Sequence, residues 1–254
     1  FAVSNKSAKG SYRLGGDFSY NKDRVPNTSM YRGSLNFKST TYLTDKLTLD
    51  SKLSYSRVHA PNVPNYDYNP SGHMYTILIW MGDDVNGRDL KNNLWTPGME
   101  GYKQASYNYA WYNNPWFGSE YFKRIWNKDV TNAQLSLSYQ ATEDLVLQGR
   151  ASMISTNNNT ELQSPKSYFN YSTSREGGYS LEQNDRLDID YDFLAMYSKS
   201  ITDNFGININ AGAASRYYRL TNSLVAADGL TVPGVHNLGN SKGPVTATNY
   251  LEKK

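Results

Sequence analysis

The chain has 254 residues, of which 19% are charged and 14% aromatic, with 22 Tyr, no Cys and a formal net charge of +3. Few charges beside many aromatics exclude a disordered segment, and scattered Lys and Arg exclude the clustered basic surface of a nucleic-acid binder. Without cysteine there is no disulfide framework, thiolate catalysis or cysteine metal site, and the longest apolar stretch, near 74–81, falls short of the roughly 18 residues of a spanning helix.

Strict alternation of apolar and polar residues, the pattern of a half-wet strand, recurs down the chain. A truncated first strand is expected over 1–5. Tyr12, Leu14, Gly16, Phe18 and Tyr20 then alternate with Arg13, Gly15, Asp17 and Ser19. Leu35, Phe37 and Leu43 oppose Arg32, Ser34, Asn36 and Lys38, and Leu47, Leu49, Leu53 and Tyr55 oppose Thr48, Asp50, Lys52 and Ser54. After a long interval, Ala133, Leu135, Leu137 and Tyr139 form one set, and Leu145, Leu147, Ala151 and Met153 the next. Ile189, Tyr191, Phe193, Ala195 and Tyr197 oppose Asp188, Asp190 and Asp192, and Phe205, Ile207, Ile209, Ala211 and Ala213 complete the series. This predicts about eight strands. The opening residues read as a strand already in progress and the last ones as unterminated, so the sequence reads as a segment of a longer protein.

The connections alternate in length. Near-identical short turns begin at Thr44, Thr142 and Thr202, each rich in Asp, Asn, Glu or Thr, and another is expected at 6–10; Asp, Asn and Thr side chains bond the local backbone in such turns. The other connections, at about 21–29, 59–129, 155–186 and from 220 onward, are long and unequal. Short turns on one rim and long loops on the other predict an all-β, antiparallel up-and-down meander forming part of a transmembrane β-barrel, whose strands place apolar residues toward lipid and polar ones toward the lumen. Tyr20, Tyr31, Tyr42, Tyr55, Tyr139, Tyr197, Tyr217 and Tyr218, near strand ends, are expected in interfacial girdles. The alternative is a soluble or surface-attached β-domain that binds glycans through loop aromatics. Turns on opposite rims, or an apolar face packed on a second sheet, would favour that alternative.

Several motifs then align in order. Trp80-Met81, Asp89-Leu90-Lys91-Asn92 and Trp95-Thr96-Pro97-Gly98-Met99-Glu100-Gly101 lead into Asn108-Tyr109-Ala110-Trp111-Tyr112-Asn113-Asn114-Pro115-Trp116. Near the end stand Val232-Pro233-Gly234-Val235-His236-Asn237-Leu238 and Asn240-Ser241. In order and spacing these resemble the SusC/RagA-type TonB-linked outer membrane transporters, over essentially the whole chain. That resemblance implies a bacterial outer membrane location and a plugged barrel of about 22 strands that imports nutrients too large for porins. It further implies a SusD-like surface lipoprotein as partner, TonB engaged through an N-terminal part outside this sequence, and a glycan or peptide substrate. The plug domain is absent from the sequence, so residues 1–254 are expected to be a partial barrel that does not transport alone.

Two constellations carry candidate chemistry. The 59–129 region holds all five Trp residues, Trp80, Trp95, Trp111, Trp116 and Trp126, with Tyr109 and Tyr112 interleaved. Flat rings beside Asn and Asp suit sugars, so Trp80, Trp95, Tyr109, Trp111, Tyr112 and Trp116 are candidate ligand contacts. The same rings equally serve as a small core that shapes the loop or docks the lipoprotein. Within it, Ser71 or Asp83 is expected to cap a short helix, 84–94 to form a turn or two of helix, and 74–80 to be either strand or helix. The second constellation is Asp188, Asp190 and Asp192. A calcium loop would want Gly and Glu where Phe193 and Lys199 stand. These acids are therefore expected to form a lumen charge ladder, roughly 7 Å apart on one strand face, with Arg150 or Arg216 as partners. His59, His73 and His236 lack zinc spacing. No catalytic motif is present; the expectation is no enzyme, no metal and no cofactor.

Overall fold

The computed structural model describes residues 1–66, 68, 70–171 and 175–254. Among these residues nine strands lie in one antiparallel sheet in strict chain order: β1 (Ala2–Ser7), β2 (Gly10–Lys22), β3 (Ser29–Tyr42), β4 (Leu47–Asn62), β5 (Lys123–Gln140), β6 (Leu145–Lys166), β7 (Glu176–Thr202), β8 (Phe205–Asp228) and β9 (Thr246–Lys253). The sheet is not closed; β1 and β9 are its edges. Among the described residues no helix is long and apolar enough to cross a membrane.

Because every neighbour is sequential, the turns after β1, β3, β5 and β7 share one rim and the four longer connections share the other. The turns at Thr44 and Thr142 close alike: Leu47 and Leu145 each donate to the threonine carbonyl, and each accepts in return from its N–H. At the β1–β2 turn only glycine fits. Gly10 has φ +147°, and a Cβ there would lie 2.2 Å from Thr40 O.

The register sorts side chains onto two faces, since cross-strand partners point the same way. One row runs Leu14, Phe37, Leu53, Ala133, Met153, Ile189 and Tyr217, and another Leu49, Leu137, Phe193 and Ala213. Among the described residues no second sheet covers this apolar face. Leu35, Leu53, Leu135, Phe193 and Ile209 are half or more exposed. The accessible surface is 15701 Å², against about 11,300 Å² for a folded monomer of this mass. The opposite face carries rows such as Arg13, Lys38, Lys52, Gln134, Ser152, Asp190 and Arg216.

Three expectations change. The strands number nine, because β9 pairs with β8 from Ala226↔Thr246 to Arg219↔Lys253; its alternation is too short and polar to stand out. The connection expected over 155–186 shrinks to 167–175, since β6 and β7 run on to 22 and 27 residues. Their upper parts are Asn-, Thr- and Gln-rich ladders without apolar alternation, held by pairs such as Asn158↔Asn184. Finally, Tyr42 pairs with Thr48 and Tyr218 with Asp188, which places both on the polar face; Tyr20, Tyr31, Tyr55, Tyr139, Tyr197 and Tyr217 keep to the apolar one. With a period of two, one residue decides the face.

The buried apolar residues lie at the long-loop end: Val25, Ala60, Phe117, Phe122, Tyr168, Ala227 and Leu230. There the 63–122 connection folds as a layer of its own. It contains α1 (His73–Tyr75), continued by a π-helical turn (Thr76–Trp80), then α2 (Gly87–Asn92) and α3 (Pro115–Tyr121). So 74–80 is helical. Neither Ser71 nor Asp83 is a cap: α1 follows Gly72 with no side-chain cap, while Asn86 and Asn114 cap α2 and α3. Asn accepts N-terminal N–H groups as well as Ser or Asp does, and Pro at the first helical position strengthens the Asn114 signal.

Candidate functional site

The loop layer is built around two adjacent asparagines. Asn114 is fully buried. Its Oδ1 accepts from Trp116 N (3.0 Å) and Phe117 N (3.4 Å), opening α3, while its Nδ2 donates to Leu90 O (2.7 Å) and Ala105 O (2.9 Å). Asn113, 2% exposed, reaches the other way. Its Nδ2 donates to Pro70 O (3.0 Å) and Phe169 O (2.6 Å), and its Oδ1 accepts from Phe169 N (2.6 Å) and Gln104 Nε2 (2.8 Å). Buried Gln104 completes the knot by accepting from Asn114 N (2.8 Å) and donating to Ser167 O (2.6 Å). Two side chains thereby tie 63–122 to the β6–β7 connection, and each buried amide is satisfied as burial requires.

An apolar core lies beneath. Phe117, Phe122 and Tyr168 are buried together, with Leu94, Trp95, Tyr121 and Leu162 packed against them. Phe122 stacks on Tyr168 at 4.7 Å, and Trp95 meets Phe117 edge-on at 4.7 Å. Each fully buried ring contributes about 1.5–3 kcal/mol of transfer free energy. Leu162 shares the strand face of Ser152 and Arg150, so the layer folds over the polar side of the sheet. Trp116 packs beside His73 at 6.0 Å. Trp95 and Trp116 are both half-buried and pack within the loop layer. Trp126 is on β5, where its Nε1 donates to Asn158 Oδ1.

Of the other candidate rings, Trp80, Tyr109 and Trp111 are exposed and Tyr112 is half-buried. Tyr68, Tyr75, Trp80, Tyr112 and Tyr107 follow one another at 4.7, 6.3, 5.1 and 6.4 Å between centroids. Trp80 stacks on Tyr112 with an interplanar angle of 23°. Trp111 is 60% exposed and meets Phe169 edge-on, while Tyr109, 53% exposed, lies under the Lys103 ammonium at 4.9 Å. Trp80 and Tyr112 thereby belong to one run of rings, while Tyr109 and Trp111 lie against Lys103 and Phe169. Sequence reasoning missed Phe169 and Arg175, which come from the β6–β7 connection. Arg175 covers the Phe169 ring at 4.6 Å and donates to Tyr109 O (3.0 Å) and Ala110 O (2.8 Å). No local pattern marks them; they matter through what they meet.

Burial perturbs several groups here. It pushes the Tyr107 hydroxyl up to about 12, with the nearby Tyr112 adding to it, and raises Tyr168 further still. The hydrogen bond to Asp23 pushes Tyr66 to about 12 and lowers Asp23; it joins the 63–122 layer to the β2–β3 connection. His73, 8% exposed, is held below the ordinary imidazole value by burial, with its Nδ1 donating to Pro115 O (2.8 Å). His236 is lowered for the same reason and sits against Ser164 O at 3.3 Å. The segment Val232–Asn240 closes on itself, Asn240 bonding Val232 N, Val232 O and Val235 O. Among the described residues no cluster of three or more His, Asp or Glu is placed to hold a metal ion.

Asp188, Asp190 and Asp192 lie on the polar face of β7. Asp188 is 1% exposed and accepts from Arg186 Nε (2.6 Å) and Arg216 Nη2 (3.3 Å). Arg216 Nε also pairs with Asp190 (3.3 Å), and Arg150 Nε with Asp192 (2.9 Å). Alternating charges across β6, β7 and β8 form a neutralising ladder, which is the cross-strand way of keeping three acids on one face.

No protein-family model matches the chain, and no curated protein does. Its fold is similar to solved structures of the RagAB peptide transporter. One superposes with a TM-score of 0.70 at 14% sequence identity, over 99% of this chain and 28% of that one. The RagAB peptide importer in its closed-closed state gives 0.67 at 15% identity over 99% and 28%, and in its open-open state 0.63 at 15% over 98% and 27%. The chain therefore spans little more than a quarter of the length of those chains. At such identities the likeness is one of fold, and that fold is an antiparallel meander with the strand order and open edges of a part of a larger barrel.

Proposed function

We propose that this chain is a stretch of wall and external loops in a SusC/RagA-type, TonB-dependent importer of the bacterial outer membrane. The observation that carries the reading is the uncovered apolar face on a sheet whose short turns all share one rim. In water such a face would invite association; in lipid it is the surface a barrel needs, while the hydrogen-bond ladder pairs β3 to β6 on both sides along nearly their whole length. About five outward positions per strand, for example Ile189, Tyr191, Phe193, Ala195 and Tyr197, match the 9–11 residues of one tilted crossing (roughly 30 Å of hydrocarbon).

On this reading the polar face lines the lumen, the Asp188–Asp190–Asp192 ladder sits in it, and β6–β8 carry the loop layer well above the membrane. The accessible rings Trp80, Tyr109, Trp111 and Tyr112 meet the incoming oligosaccharide or peptide, or the SusD-like lipoprotein that delivers it. Sealing the two open edges needs further strands, and coupling to TonB needs a plug, so import belongs to the whole transporter. No step of this role calls for a catalytic residue. The test is growth of a strain deleted for the complete transporter on defined peptides and oligosaccharides as sole nutrients. Loss of growth on one class, restored by the intact gene, supports importer function; unimpaired growth on every polymer refutes it.

A further inference from the structure

Between the 63–122 layer and the β6–β7 connection lies a cleft of about 260 Å³, lined by Tyr102, Lys103, Tyr109, Lys166, Phe169 and Arg175 among others. Three cations stand on three rings: Lys103 over Tyr109 at 4.9 Å, Lys166 over Tyr102 at 5.3 Å and Arg175 over Phe169 at 4.6 Å. Among the described residues one acid, Glu176, lines the cleft; it pairs with Lys166 at 3.1 Å and with Lys242 from the β8–β9 connection, and neither Lys103 nor Arg175 is paired with it there. Among the described residues Lys103 has no ion pair. The cleft is left positive and its walls are flat and apolar.

The remaining polar groups narrow the ligand. Gln104 is spent on Asn113, Asn114 and Ser167, Ser106 Oγ donates to Tyr112 O (2.9 Å), and Ser167 Oγ accepts from Gln104 N (3.1 Å). A sugar ring needs several directed donors and acceptors around its hydroxyls, and here the Gln104 amide and the Ser106 hydroxyl are already engaged. A phosphate favours a free guanidinium fork, but both terminal nitrogens of Arg175 hold the carbonyls of Tyr109 and Ala110. What stays on offer is a compact ammonium beside aromatic faces, which suits a single carboxylate on a short apolar stem.

Resting on the importer reading above, we infer that this cleft binds an acidic side chain, Asp or Glu, of a peptide substrate, with Lys103 as its main counter-ion. The probes are a glutamate-containing hexapeptide, the same peptide with Gln in place of Glu, and trigalacturonate, titrated into the purified whole transporter. The Glu peptide binds more tightly than the Gln peptide, and its advantage shrinks as salt rises. Lys103→Gln weakens the Glu peptide about 3- to 5-fold, as for a solvent-exposed ion pair, and leaves the Gln peptide unchanged; Lys103→Arg restores it. The Lys103 side chain is exposed and lies over the Tyr109 ring, so neither variant threatens folding. Equal binding of both peptides, with import intact, overturns this inference and leaves the importer standing. Lys103-dependent binding of trigalacturonate in place of the acidic peptide overturns it as well. Failure of cells to import any peptide or oligosaccharide overturns the importer reading instead.

Discussion

Replacing Asn114 by alanine tests the loop layer at its most connected point. The substitution removes an N-cap, costing about 1 kcal/mol, and two further side-chain hydrogen bonds, to Leu90 O and Ala105 O, at about 1 kcal/mol each. The sum, about 3 kcal/mol, falls on a unit tied to the sheet mainly through Asn113, Gln104 and the Phe117–Phe122–Tyr168 core. It should therefore open that unit locally and leave the strand ladder closed, because the β5–β8 hydrogen bonds do not pass through it. Hydrogen exchange on the whole transporter measures both at once. Amides of α2, α3 and the 105–113 segment should exchange about 100-fold faster, following from about 1.4 kcal/mol per decade, with β5–β8 unchanged. Asn114→Ser, which keeps a cap acceptor and loses both donors, should recover about a third of the effect. A change below tenfold in the layer, or an equal change in the strands, would refute the idea of a separate unit locked by this residue.

Other outcomes follow from the same geometry. Leu137→Arg, on the apolar face, should impair folding of the transporter into lipid vesicles by about 2–4 kcal/mol, while Asn132→Arg on the polar face should not; equal effects would count against a lipid-facing band. Asp188→Asn leaves Arg186 and Arg216 without their shared carboxylate, and chemical denaturation should show a loss of about 1–3 kcal/mol, limited because both guanidiniums are more than half exposed; stability equal to the parent would argue against a structural ladder. Burial lowers the proton affinity of His73 in the folded layer, as it does that of His236 in the β8–β9 connection. The opened layer then takes up protons first, so stability is full above the unfolded value of 6.5 and falls as pH drops through it. Exchange in the layer, corrected for intrinsic pH dependence, should be faster at pH 5 than at pH 7.5, and His73→Asn should flatten the difference.

How much of this was legible beforehand varies from element to element. The lower halves of β2–β8 stand out because one face meets an apolar surrounding and the other does not, and a period of two records that at each residue. The turns at Thr44, Thr142 and Thr202 carry their own local chemistry, so their shared rim follows from counting strands. The upper halves of β6 and β7 do not stand out. Both faces there are polar, the ladder is held by backbone bonds any residue can make, and the 155–186 stretch reads as loop. Tyr42 and Tyr218 were misplaced for a related reason: closeness to a strand end says nothing about face, which one residue of register decides.

The loop layer marks the boundary most clearly. Composition concentrates rings between 59 and 129, and from that alone Trp95 and Trp80 are indistinguishable. Trp95 packs on Phe117 while Trp80 stays open beside Tyr112, because the layer folds over Leu162 and Tyr168 of a segment that comes later in the chain. Arg175, Lys166 and Glu176 enter the cleft in the same way. Periodicity and turn chemistry act between near neighbours, so the sequence alone determined the meander and its two faces. Which rings face inward and which cations share a cleft depends on contacts between residues from about twenty to nearly seventy positions apart, and only the tertiary structure decided those.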